Sequence, residues 1–96
     1  MIGNVIADNR LELIDYCKSY FSYFWDEICV WIDEDGRLYW YSDNGCSCHF
    51  FGDTVTSLSE LETGDREACF RAIDGFVAAR LEFDPAGGSR HSRGRT

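Results

Sequence analysis

The sequence predicts a single α+β domain over residues 1–84, a small antiparallel sheet of about three strands with a C-terminal helix at about 65–81 packed on one face. Three observations carry this. Two β-prone runs, 26–32 and 37–41, flank Asp33-Glu34-Asp35-Gly36. Cys69, Phe70, Ala72, Ile73, Phe76 and Val77 recur at helical spacing after Thr63-Gly64, with Asp65 placed to cap the helix and Pro85 to end the region. A chain of 96 residues that is 45% hydrophobic and 16% aromatic has the material for one core, and too little length for two.

The hairpin at 25–42 has two candidate registers. A two-residue turn at Asp35-Gly36 sets Asp33 against Leu38, an acid opposite an aliphatic. A three-residue loop, Glu34-Asp35-Gly36 with Gly36 in the left-handed position, sets Asp33 against Arg37, Ile32 against Leu38, Trp31 against Tyr39, Val30 against Trp40 and Cys29 against Tyr41. Side-chain chemistry favours the second. That register divides the hairpin into a face of Ile28, Val30, Ile32, Leu38 and Trp40, which reads as core, and a face of Trp25, Cys29, Trp31, Tyr39 and Tyr41. One helix covers one face of a small sheet. The aromatic face is therefore either covered by another segment, 20–24 or 46–55, or open as a binding patch.

The remaining elements are less sharply marked. Residues 10–16 alternate in part and read as a third strand, with an amphipathic helix as the alternative. The run Tyr20-Phe21-Ser22-Tyr23-Phe24-Trp25 is too aromatic for a free loop and is expected to fold over the sheet or enter the next strand. Ser57-Leu58-Ser59-Glu60 has the capping-box pattern and opens at most one helical turn. Residues 85–96 contain no apolar side chain larger than Pro or Ala and read as a flexible basic tail.

Charge and composition narrow the function. All 17 acids lie in residues 1–84, and the last twelve residues carry three arginines and no acid. So acidic a body repels a phosphate backbone, so direct nucleic-acid binding is not expected. The alternative use of this charge is a DNA mimic that inhibits a nucleic-acid enzyme through Asp26, Glu27, Asp33, Glu34, Asp35 and Asp43, with binding that weakens as salt rises. No stretch approaches the roughly 20 apolar residues of a membrane span, and the first residues lack a basic flank and long apolar run, so a cytoplasmic protein with reduced thiols is expected.

The segment 43–51, Asp-Asn-Gly-Cys-Ser-Cys-His-Phe-Phe, concentrates the reactive side chains. Cys46, Cys48 and His49 are candidate zinc ligands, but the second pair that zinc usually needs would have to come from Cys17, Cys29 or Cys69, which read as buried small hydrophobes or isolated residues. No cofactor is expected, with a zinc-stabilised module kept as an alternative. Cys-Ser-Cys does not close into an unstrained disulfide at this separation. A Cys–His nucleophile requires a third group to orient the base, and the sequence identifies none, nor any phosphate-cradling glycine loop; the chain is not read as an enzyme.

The run Asp35-Gly36-Arg37-Leu38-Tyr39-Trp40, followed by Gly45-Cys46-Ser47-Cys48, an acidic stretch and an amphipathic C-terminal helix, resembles a family of small uncharacterised actinobacteriophage proteins. The likeness covers about residues 25–81; this chain has His49-Phe50-Phe51 where that family reads approximately Pro-Ser-Pro-Phe. The resemblance implies a non-structural phage product made in a bacterial cytoplasm, of the kind that binds a host or defence protein. Joined to the residue-level reading, the expected function is a non-enzymatic phage accessory protein. It binds its partner through the aromatic hairpin face (Trp25, Trp31, Tyr39, Tyr41) and the 43–52 loop (Cys46, Cys48, His49, Phe50), with a homodimer through the same face as the competing arrangement.

Overall fold

The computed structural model describes residues 1–83 and 89–90. In chain order it holds α1 (Ile2–Asp8), β1 (Glu12–Phe21), β2 (Phe24–Ile32), β3 (Leu38–Gly45), a single 3-10 turn (Leu58–Glu60), β4 (Glu62–Gly64), α2 (Arg66–Phe83) and β5 (Ser89–Arg90). The strands form one antiparallel sheet in the order β4-β3-β2-β1-β5. The α+β class is as predicted: the sheet has three long strands, and β4 and β5 add short edges of three and two residues.

The β2–β3 hairpin adopts the register that side-chain chemistry favours. Ile32 pairs with Leu38, Trp31 with Tyr39, Val30 with Trp40 and Cys29 with Tyr41, and the ladder continues outward to Trp25 opposite Gly45. Asp33 N–H donates to the Arg37 carbonyl at 3.0 Å, Gly36 N–H donates to the Asp33 carbonyl at 3.1 Å, and Gly36 has φ +85°, the geometry of a three-residue loop closed by a glycine bulge. The Asp33 side chain fixes that loop, its Oδ1 accepting from the amides of Asp35 at 2.9 Å and Arg37 at 2.8 Å.

Residues 10–16 resolve in favour of the strand alternative, and β1 runs on to Phe21. The aromatic run 20–24 does not fold over the sheet. It forms the β1–β2 corner, with Phe21 paired to Phe24 and Ser22 at φ +58°, and Phe24 and Trp25 open the next strand. Of the segment 85–96, only Ser89–Arg90 are described. They pair with Lys18 and Cys17 along the outer edge of β1, and the rest lies outside the described residues.

Two layers of apolar packing lie on opposite sides of the sheet. On one, Cys69, Ile73 and Phe76 of α2 pack on Cys17, Ile28, Val30 and Trp40. Asp65 caps that helix as its spacing predicts, accepting from the Ala68 amide at 2.8 Å. On the other, Cys29, Trp31 and Tyr39 are covered by Ile2 and Val5 of α1 together with Phe51, Val55, Leu58 and Leu61. The first helix is absent from the sequence reading. Its residues Ile2, Val5 and Ile6 have helical spacing. It ends in a Schellman arrangement, with Arg10 at φ +53° donating to the Ala7 carbonyl and Leu11 to the Ile6 carbonyl.

Candidate functional site

The reactive segment lies at the end of the sheet where β1 turns into β2 and β3 ends. Trp25 and Gly45 face each other across the ladder there. His49 lies flat against Trp25, the ring centroids 5.6 Å apart and the planes 4° from parallel. It also covers Gly45 so closely that a Cβ at that glycine would sit 2.6 Å from the imidazole Cδ2. The Cys46 carbonyl accepts from the Trp25 indole N–H at 3.0 Å and from the His49 amide at 3.1 Å. Asp43 completes the clamp: Oδ2 lies 3.0 Å from His49 Nε2 and accepts from the Gly52 amide at 2.8 Å, while Oδ1 accepts from the Asn44 amide at 2.8 Å. Partial burial opposes the Asp43 charge, but the Gly52, His49 and Asn44 donors outweigh it and hold the carboxyl below its ordinary pKa. Asp43 is thus the orienting acid that the sequence did not reveal for His49, six residues away along the chain.

With the loop held in this way, Phe51 turns inward and packs against Trp25, Trp31 and Tyr41, edge-on to Tyr41 with a centroid separation of 5.8 Å. This closes the aromatic face. Trp31 is 3% exposed and Tyr39 6%, so the expectation that they form a contact surface is corrected: both are core residues beneath α1 and the loop. Trp25 and Tyr41 are half-buried, as are Cys46 and His49, whereas Cys48 and Phe50 are exposed. The exposed aromatics at this end are Tyr20, Tyr23, Phe24 and Phe50, between 58% and 79% exposed. The sequence signal for the first three is the density of aromatics in 20–24.

The six acids proposed as a DNA-like surface fall into two groups. Asp33, Glu34 and Asp35 occupy the hairpin loop, and Asp26, Glu27 and Asp43 lie toward the other end of the same two strands, about 20 Å away by strand rise. Several are engaged locally. Asp33 holds its own loop, Glu34 is 3.5 Å from Arg10, and Glu27 is 3.6 Å from Lys18 and accepts from the Cys29 thiol at 3.3 Å. For zinc, Cys17, Cys29 and Cys69 are all buried, split between the two faces, and His49 is already paired with Asp43. Among the described residues no group of three or more His, Cys, Asp and Glu side chains converges on a metal position. Nor is any described helix long and apolar enough to cross a membrane.

A separate cavity of about 310 Å3 opens beneath the first turns of α2, lined by apolar residues that include Ile14, Val30, Leu38 and Phe70, with Asp15 and Arg66 as its charged members. Asp15 is buried at the register shift in β1.

The molecule so defined is a small antiparallel sheet closed on one side by a helix and on the other by a loop fastened through an Asp–His clamp. A family model described as a domain of unknown function (DUF7574) matches residues 6–90, from within α1 to β5, and the chain belongs to that family. No curated protein and no solved structure matches it.

Proposed function

We propose that this protein is a non-enzymatic accessory protein of phage origin, acting in the bacterial cytoplasm by binding a host or defence protein. The contact surface in this reading is the end of the sheet that carries Tyr20, Tyr23, Phe24 and Phe50 beside the clamped 43–52 loop. The observation that carries it is the concentration of four well-exposed aromatic side chains at one end of a small domain, where aromatic residues supply contact area at little entropic cost. Rigid support strengthens it: Trp25, His49 and Asp43 hold the loop in one geometry, which lowers the ordering cost of binding. Phage origin is supported by the hairpin and Gly45-Cys46-Ser47-Cys48 resemblance, and the family assignment is compatible with it.

The test is affinity capture from an actinobacterial lysate at low and high salt, comparing the wild type with a Tyr23→Ser/Phe50→Ser double variant. A stoichiometric host protein that survives high salt and is lost with the double variant supports the reading. Capture that disappears in high salt and ignores the double variant points to the acids and overturns it. Self-association that the double variant abolishes assigns the aromatic end to a homodimer and likewise overturns it.

A further inference from the structure

The five cysteines divide sharply. Cys17, Cys29 and Cys69 are buried, and burial among apolar groups beside Glu27 pushes the Cys29 thiol far up. Cys48 is exposed and Cys46 half-buried, with their sulfurs 2.8 Å apart. Their backbone is not free to drift, because the Cys46 carbonyl is tied to the Trp25 indole and to the His49 amide, and His49 is tied to Asp43. Two thiols held in contact on a fixed turn, in a protein whose other thiols are buried, form a defined reactive unit. Neither thiol belongs to the apolar packing on either face of the sheet.

We propose that Cys46 and Cys48 are a reversible dithiol–disulfide site, oxidised by exchange with a low-molecular-weight disulfide. Either sulfur can donate the hydrogen bond between them, and the Cys48 amide is what biases the pair toward a thiolate on Cys46. The Cys48 side chain and amide stabilise a thiolate on Cys46 and lower its pKa, while the same contact raises that of Cys48. Cys46 is therefore the attacking sulfur. Its thiolate displaces one thiolate from the small disulfide, which takes up a proton, leaving a mixed disulfide on Cys46. That step removes the negative charge beside Cys48. Cys48 then loses its proton to solvent, attacks the Cys46 sulfur, and expels the second small thiolate. Two electrons pass from the cysteine pair to the small disulfide, two small thiols are released, and one Cys46–Cys48 bond forms. Because a single residue separates the two, the ring is small and strained, so thiols reopen it readily, as a reversible site requires.

The site is tested without any partner, so its outcome is independent of the binding reading. The full reduced chain is incubated with oxidised glutathione and followed by intact mass, peptide mapping and thiol counting. The expected product has lost two hydrogens, carries no adduct, retains three of its five thiols and returns to the starting mass with excess reduced glutathione. Cys48→Ser is expected to stop at a single glutathione adduct, mapped to Cys46. A wild type that keeps all five thiols, or that ends as a stable glutathione adduct like Cys48→Ser, overturns the proposal. Because the wild-type measurement stands alone, misfolding of a variant cannot rescue or sink it.

Discussion

The two faces of the sheet are closed by different means. Beneath α2, a periodic element lays Cys69, Ile73 and Phe76 onto Ile28, Val30 and Trp40. The opposite face is closed by a short helix and an irregular loop, whose apolar contacts depend on polar fastenings at Asp43, His49 and Gly52. A helix satisfies its own backbone and can be placed by hydrophobicity alone. A loop cannot, so its covering role has to be secured by specific hydrogen bonds. The lesson is that equal burial on the two faces does not imply equal robustness.

The largest expected effect tests whether the loop is a packed layer at all. Trp31→Ala removes a side chain that is almost wholly buried beneath α1 and Phe51, and is expected to cost about 3–5 kcal/mol in urea unfolding. Ile73→Ala, its counterpart beneath α2, is expected to cost about 2–4 kcal/mol. A Trp31→Ala cost below about 1 kcal/mol would break the comparison, since the loop would then be a loose flap over a face that tolerates exposure.

The fastening is tested next. Asp43→Ala removes the acceptor of the Gly52 and Asn44 amides and the partner of His49, at an expected cost of about 3 kcal/mol. Because the Asp43 pKa is lowered in the folded state, its contribution is fully present above the unfolded carboxyl value, about pH 4, and is lost as pH falls through the folded value. Wild type and Asp43→Ala should therefore converge in stability as the pH drops below about 4 in acid–urea titrations. A constant difference across that range would show that the carboxylate charge does not hold the loop.

The difference between the faces also accounts for what was legible in the sequence. Helix α2 and the hairpin register were readable because they rest on periodicity and on adjacent residues: the stripe 69–77, the pairing of Asp33 with Arg37, and the need for a left-handed glycine at 36. The capping box was readable for the same reason, and Glu60 does accept from the Thr56 and Ser57 amides. The cover on the aromatic face was only half readable. Segment 46–55 was one of two candidates, and it is Phe51 and Val55 from it that pack there, whereas 20–24 turns away. The pairing of Asp43 with His49 joins residues whose side chains meet only after the chain has turned at Ser47-Cys48, and no local spacing rule encodes that. Burial of Trp31 and Tyr39 follows from it, which is why an aromatic face that looked like an interface is core.

The smallest effect sharpens the comparison most, because two glycines with positive φ differ mainly in their surroundings. Gly36, in the hairpin loop at φ +85°, has nothing within 4 Å of where a Cβ would stand. Gly36→Ala therefore pays the backbone term alone, about 1 kcal/mol. Gly52, at φ +66°, would place its Cβ 2.5 Å from Ile2, and its carbonyl accepts the Ile2 amide at 3.0 Å, so it is the point where the loop grips α1. Gly52→Ala adds to the same backbone term the cost of pushing Ile2 out of its layer, for a total of about 2 kcal/mol. Hydrogen exchange separates the two: Gly52→Ala should release the amides of α1 and of its C-cap Asn9, whose N–H donates to the Val5 carbonyl, while leaving α2 protected. Gly36→Ala should lower protection evenly through global stability. If both variants act evenly, α1 and the loop unfold only with the whole domain, and the two faces are energetically one unit despite being built so differently.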